Sequence, residues 1–519
     1  MAVDAVVVGG GHNGLVAATL LARAGWSVEV HERREVAGGA VGSVTTARGY
    51  VHDWGSAFFG VLHTSPVLRE LALDRRVVWA HTPVPVAATW DTRRPAALLR
   101  RTPDATAADL GTDARAWLEL CRWWDRRGGP LLGALMSPLP LPLRWLARSG
   151  VRGALQDVRT MLEPVEAWAA QAFGADEARM LVTAHATHAD VAVDASGSTP
   201  PALLLTMAAQ THGMPVPVGG ADRLAAAFVQ AAEEAGVVVR TGVDVARVVV
   251  RHGRAVGVEA TDGTGTAVRR AVLADVAPGV LARDLVGEQH LPAAWLASLR
   301  RHRYGSGYFR LDVDLSGPAP WRDQRLRDAL VVHVTGDVDE LADAQSEVRR
   351  SRLPARPQLI VGQQDRADPS RVPPGAASLW VECHCPARPV ADAADELPAD
   401  WRAGFAERVL DRLAAHAPGL LELVVETTVT TPLDLQARDP NLVGGDVAGG
   451  SAALDQQLVL RPVAGWSPYA LPVRGLWMCG AASHPGGGVH GMVGRAAARA
   501  VLRTERLRRL TSGEGAGSG

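Results

Sequence analysis

The chain has 519 residues, enough for two or more domains, and its 47 % hydrophobic content supports full-sized cores. A net charge of −1 leaves no electrostatic footprint for nucleic acid. The cysteines (Cys121, Cys383, Cys385, Cys479) are too few and too scattered for a disulfide framework, and all 54 basic residues are arginine, which excludes a Schiff-base lysine.

The first predicted element is a buried strand over Ala5–Val8, followed by Gly9, Gly11 and Gly14 with His12 and Asn13 between them. The glycines permit a tight turn, close approach of a pyrophosphate to bare backbone, and close helix–sheet packing. Leu15–Ala24 has the small apolar character of a crossover helix, Gly25 can end it, and Ser27–His31 gives a second strand closed by Glu32. That carboxylate can accept both hydroxyls of an adenosine ribose, while the helix N-terminus offers N–H groups and positive dipole to phosphates. Strand, glycine turn, helix, strand and terminal acid in register define a dinucleotide site. Beyond it, Arg33-Arg34 and the doublet Gly38-Gly39 let the chain fold back over the same pyrophosphate.

After Leu71 the text changes to Arg/Trp/Ala-rich helical periodicity, as in Ala114–Trp124, so a second domain begins. Pro130–Leu143 is apolar but interrupted by Pro138, Pro140 and Pro142, and it cannot span a bilayer. With Trp145, Arg144, Arg148 and Arg152 after it, it could lie on a membrane surface, frame an apolar entrance, or simply wall a substrate domain. Pro217–Asp222 restarts the nucleotide domain, followed by a helix to about Ala235 and a meander over Val237–Arg240, Ala246–Arg251 and Ala255–Ala260. A second excursion begins near Leu291, with Tyr308–Leu315 alternating as a half-buried strand, joined in one sheet by Gln358–Gly362 and Ser378–Cys383. Cys383-His384-Cys385 would face alternate sides of that strand, so no metal site is expected. Residues 401–417 are predicted helical, the chain returns to the nucleotide domain near Asn441, and the tail from 511 to 519 is expected to be disordered. Because the chain opens on a strand, no secretory signal is expected and a cytoplasmic location follows, with membrane association left open.

The far end, Gly475–Met478 followed by Cys479–Gly494, reads as an apolar strand, a glycine-rich loop and a helix start. Together with Gly9–Glu32 and Gly38-Gly39, it resembles the phytoene desaturase-like FAD-dependent oxidoreductases. These form the carotenoid desaturase/isomerase branch of the glutathione-reductase-like, amine-oxidase-related flavoproteins. The resemblance is strongest over residues 4–65, 215–262 and 440–502. It implies FAD as cofactor, Gly55 and Ser56 on a flavin-contacting turn, and Val245 binding adenine through its backbone. It also implies Gly480 and Ala481 on the ribityl-diphosphate arm, and Gly491, Met492 and Val493 at a helix start aimed at the flavin pyrimidine. Ala40 stands where amine oxidases usually carry arginine, and their lysine–water–flavin contact has no lysine here. Ser483, Gly487 and Arg495 depart from the strict desaturase pattern, so the cofactor carries over better than the substrate.

The expected fold is α/β. A Rossmann-type FAD-binding domain (1–75, 215–290, 440–510) interleaves with an α+β substrate domain of helices on a mixed sheet (76–214, 291–439). The expected activity is a desaturase or dehydrogenase passing hydride from an apolar, polyene or isoprenoid-like substrate to flavin N5. Only one dinucleotide unit is encoded, so hydride should come from the substrate rather than from NAD(P)H. Three alternatives stay open: a reduced-FAD isomerase or saturase, an amine-oxidase-like enzyme, and a non-catalytic lipid-binding protein such as the Rab GDP-dissociation inhibitors. Candidate proton handlers are His484 and His490 in the loop over the flavin; His185, His188 and His212 read first as structural.

Overall fold

Strand Val3–Val8 is buried from Asp4 onward and takes a parallel partner on each side, with Val8 level with His31 of Val28–His31 and Ala274 of Gly265–Ala274. A parallel strand covered on both faces must be apolar throughout, so the segment reads as a run rather than an alternation. The computed structural model describes residues 2–137, 143–390, 400–466 and 469–511; the proline-broken segment at 138–142 and the expected tail beyond Thr511 lie outside the described residues.

Val238–Arg240 extends this sheet beyond Val28–His31, and Leu476–Met478 joins Gly265–Ala274 in parallel. Val245–Arg251 and Arg254–Ala260 form an antiparallel ribbon that leads into the first half of Gly265–Ala274. The expected meander over 237–260 is thereby corrected. Its first member is a parallel edge strand, because helix Asp222–Glu234 returns the chain to the main sheet; its third is Gly265–Ala274, which belongs to both arrangements. Helices His12–Arg23 and Met492–Thr511 lie together on one face. A side chain at Gly494 would overlap the Asn13 carbonyl, so only glycine allows the approach.

The second sheet runs Val424–Thr430, Gly307–Leu315, Ala377–Cys385, Leu359–Gly362, Ala329–Val334, Val84–Thr89, Ala97–Leu99. The pairing of Ala329–Val334 with Val84–Thr89 is parallel and the rest is antiparallel, so the sheet is mixed. Leu311, Val313, Val381 and Cys383 pack on one face against Phe405, Val409 and Leu413 of helix Trp401–His416. Val86, Ala88, Ile360 and Trp380 on the other face meet the helical insertion through Trp117, Leu181 and Met207. All four cysteines are buried and unpaired, and no cluster of metal ligands occurs among the described residues.

A buried polar seam joins the hairpin of Ser43–Thr45 and Val51–Asp53 to the second sheet. Arg371 donates to Asp53 at 2.7 Å, with the two side chains 1 % and 0 % exposed. The Asp53 backbone carbonyl accepts from Trp380 Nε1 at 2.9 Å, and His52 Nε2 bonds Asp314 at 2.7 Å.

Candidate functional site

Beyond the carboxyl ends of Val3–Val8, Val28–His31 and Gly265–Ala274 lies a cleft of about 190 Å³, where open α/β sheets bind their ligands. Its wall gathers Gly9, Gly11, His12, Asn13, Glu32, Arg33, Gly39, Val245, Gly480 and Ala481 from four separate stretches of chain. Gly9 has φ +97°, and a Cβ there would stand 2.7 Å from the Asp275 carbonyl. The turn therefore presents bare backbone to the cleft.

Glu32 is held in place before any ligand arrives. Its Oε2 accepts the Gly10 N–H at 2.7 Å and its Oε1 the Arg34 N–H at 2.9 Å, leaving further lone pairs for ribose hydroxyls. The second clamp lies against the first: Gly38 N–H donates to the Gly10 carbonyl at 2.8 Å, and Arg34 donates to the Gly39 carbonyl at 2.8 Å. Ser56 N–H donates to Ala40 at 2.9 Å, and Gly55 packs on the same carbonyl, which fixes the Gly55–Ser56 turn to the doublet rather than in the cleft wall. Gly14 sits one turn inside the helix, and Gly491, Met492 and Val493 are likewise not brought into the wall. Bare anion-binding backbone, a fixed ribose acceptor and a doubled clamp fit an adenine dinucleotide.

The two loop histidines differ. His490 Nδ1 accepts the Met492 N–H at 3.0 Å, and burial holds its pKa down at about 3, so it acts as a neutral acceptor at the helix start. His484 Nε2 donates to the Ser137 carbonyl at 3.0 Å, which fixes the neutral tautomer and leaves Nδ1 a buried lone pair without a partner among the described residues. Burial lowers its pKa, and neither ring lines the dinucleotide cleft.

Sequence reasoning missed Asp275, which follows the apolar run Ala271–Ala274 and was legible only once that run was read as a strand. It also missed Asp439 and Asn441 in the wall, which no local pattern marks. A third omission is the face that the second sheet turns towards the helical insertion. There His188 Nε2 and His333 Nε2 lie 2.8 Å apart, and His384 bonds Ser306 and the Thr187 carbonyl, each at 2.6 Å. Burial holds His185 at about 4 and His188 at about 3, lowers His333 and His384, and raises Tyr308. Between Trp380 and His384, the Glu382 side chain has no hydrogen-bond or ion-pair partner among the described residues. Burial pushes it up to about 8, although Arg310 across the strand pair opposes that. Arg310 is committed elsewhere, to the Trp54 carbonyl and to Asp312 at 3.2 Å.

These features and the family match define an FAD-dependent oxidoreductase of two interleaved domains. The chain belongs to the family of flavin-containing amine oxidoreductases, whose model matches residues 14–502. It is 28 % identical to the mouse pyridine nucleotide-disulfide oxidoreductase domain-containing protein 2, over 96 % of this chain and 93 % of that one. It is 27 % identical to hydroxyneurosporene desaturase of Cereibacter sphaeroides, over 96 % of this chain and 97 % of that one. Its fold matches a putrescine oxidase variant with a TM-score of 0.59 at 17 % identity, covering 97 % of this chain and 98 % of that one.

Proposed function

We propose that the protein is a dehydrogenase that desaturates an uncharged, apolar substrate of polyene or isoprenoid type. The observation that carries this reading is the scarcity of free charge on the sheet face beside the Asp53–Ser56 turn: burial holds His185, His188, His333, His384, Tyr308 and Glu382 in their uncharged forms at pH 7, and the carboxylate at its edge, Asp190, is taken up by Ser306 at 2.7 Å and Ser451 at 3.0 Å. A site for an ammonium substrate would need a carboxylate there that is free of such partners. Likeness to a hydroxyneurosporene desaturase over nearly the whole chain supports the same reading. Bound FAD supplies the two-electron acceptor. The protein's task is to hold the reacting C–H dry and oriented and to take the adjacent proton, for which His484 Nδ1 and the Glu382 carboxyl are the candidates.

The substrate domain also carries an apolar surface suited to a lipid phase. Val151, Leu155, Val158 and Leu162 are all exposed and share one stripe of helix Leu143–Leu162, with exposed Arg152 and Arg159 beside them. Gly197 accepts no side chain because Leu454 packs on it, and its N–H bonds the Leu162 carbonyl at 3.0 Å. The stripe thereby continues into exposed Leu454, Leu458 and Val459. Apolar residues flanked by arginines suit an anionic bilayer surface, and no helix among the described residues is long and apolar enough to cross one.

The test is anaerobic mixing of the FAD-loaded protein with micellar polyene and isoprenoid hydrocarbons, and separately with primary amines. Flavin bleaching by a hydrocarbon, with mass loss of two hydrogens in the product, is expected; bleaching by amines alone sinks the proposal.

A further inference from the structure

Asp275 stands where an anion should be unwelcome. It follows strand Gly265–Ala274 and lies between the two glycine turns that face the diphosphate-binding part of the cleft. Its Oδ2 accepts the Gly14 N–H at 2.8 Å and would be 2.6 Å from a Cβ on Gly11. Its Oδ1 would be 2.8 Å from a Cβ on Gly480. The carboxyl thus caps helix His12–Arg23 from outside, at the N–H groups that a bound diphosphate would otherwise have to itself. No cation answers it among the described residues. On the helix, burial holds His12 neutral at about 4; at the end of strand Val28–His31 stands Glu32; the loop after Pro432–Arg438 brings Asp439; and beyond Leu476–Met478 the Cys479 thiol is held well above its usual range. Of the wall's two guanidiniums, Arg33 and Arg34, Arg34 is bonded to the Gly39 carbonyl and lies 3.7 Å from Glu32.

We propose that Asp275 meets the FAD diphosphate as a neutral carboxylic acid donating a hydrogen bond, so that flavin binding takes up one proton. The balance is simple: the free carboxylate gains a proton from solvent as FAD enters, and loses it as FAD leaves. In the free protein, desolvation, with lesser contributions from Asp439 and Glu32, already pushes Asp275 up to about 7 against the opposing Gly14 bond. A dianionic diphosphate alongside raises it further. The sign follows from linkage. Because FAD prefers the protonated form, affinity is full below about pH 7 and falls towards tenfold per unit as the pH rises between the free and bound pKa values.

The experiment titrates FAD into the deflavinated full chain from about pH 6 to about pH 9, by calorimetry in buffers of different ionisation enthalpy. Wild type should take up close to one proton near pH 8 and weaken progressively above neutrality. Asp275→Asn keeps a neutral group of the same shape, and should bind FAD with nearly pH-independent affinity and no proton uptake. Glu32→Ala, by contrast, should weaken FAD while keeping the pH slope, which separates this role from FAD binding in general. A flat wild-type profile without proton uptake, or an unchanged slope in Asp275→Asn, overturns the proposal and makes Asp275 a carboxylate acceptor for flavin hydroxyls. The wild-type calorimetry decides the matter even if the variant fails to fold.

Discussion

Replacing Arg371 by methionine removes the cation from the seam while nearly filling its volume. Arg371 donates to Asp53 at 2.7 Å, to the Pro217 carbonyl at 2.8 Å and to Asp368 at 3.3 Å. Breaking a fully buried pair by deleting one partner costs about 3–5 kcal/mol, because the remaining charge stays desolvated. Asp53 keeps two donors, Ser43 Oγ at 2.7 Å and Ala221 N–H at 2.8 Å, which places the expected loss near the lower end, at about 3 kcal/mol. Against a total stability of about 5–15 kcal/mol the variant should still fold. Urea unfolding followed by flavin and tryptophan fluorescence measures the loss. Pairing Arg371→Met with Asp53→Asn removes the stranded charge as well, and should recover at least half of it. A loss below about 1 kcal/mol, or a double variant no better than the single, would refute the reasoning.

Glu32→Ala strands the Gly10 and Arg34 N–H groups besides losing ribose bonds, and should weaken FAD by about 1–3 kcal/mol in a fluorescence titration; unchanged affinity would remove Glu32 from the site. NADH and NADPH should not reduce the flavin rapidly in anaerobic stopped flow, and fast bleaching by either would overturn the single-nucleotide reading. His484→Ala should retain stoichiometric FAD yet slow single-turnover reduction by the true substrate at least about tenfold, with His212→Ala as a near-silent control; an unchanged rate leaves His484 structural. If the base is Glu382, reduction should rise as pH climbs through about 8 and lose that limb in Glu382→Gln; the same limb in the variant excludes it.

The dinucleotide half of the site was legible because its chemistry is local: Gly9, Gly11, Gly14 and Glu32 fall within one strand–helix–strand unit whose spacing is set by backbone geometry. Asp275 was not, since it enters the cleft only through the parallel pairing of residues 265–274 with residues 3–8, a contact across more than half the chain length that no local period announces. The Cys383-His384-Cys385 alternation was legible, the cysteines facing helix Trp401–His416 and the histidine the other side. What the histidine meets there was not, because Ser306 and Thr187 come from distant segments. Reading 237–260 as one meander failed for a similar reason. A short valine-rich strand pairs parallel or antiparallel according to the helix before it, not according to its own residues.

The same long-range pairing constrains how substrate reaches the flavin. The chain passes between the two sheets four times, from residues 3–31 to 84–99, back to 238–274, out again to 307–430 and home at 476. At the junction, Arg371–Asp53, His52–Asp314 and Trp380 on the Asp53 carbonyl are all buried. Opening the domains as a hinge would have to break all of these contacts together. Trp380 on the Asp53 carbonyl and Arg310 on the Trp54 carbonyl thereby hold the Gly55–Ser56 turn against the sheet carrying Glu382 and His384. On the proposed reading, substrate entry falls to the helical insertion, where exposed Val151, Leu155, Val158 and Leu162 offer an apolar surface while Asp157 on the same helix stays buried and bonded to Arg127 at 2.8 Å.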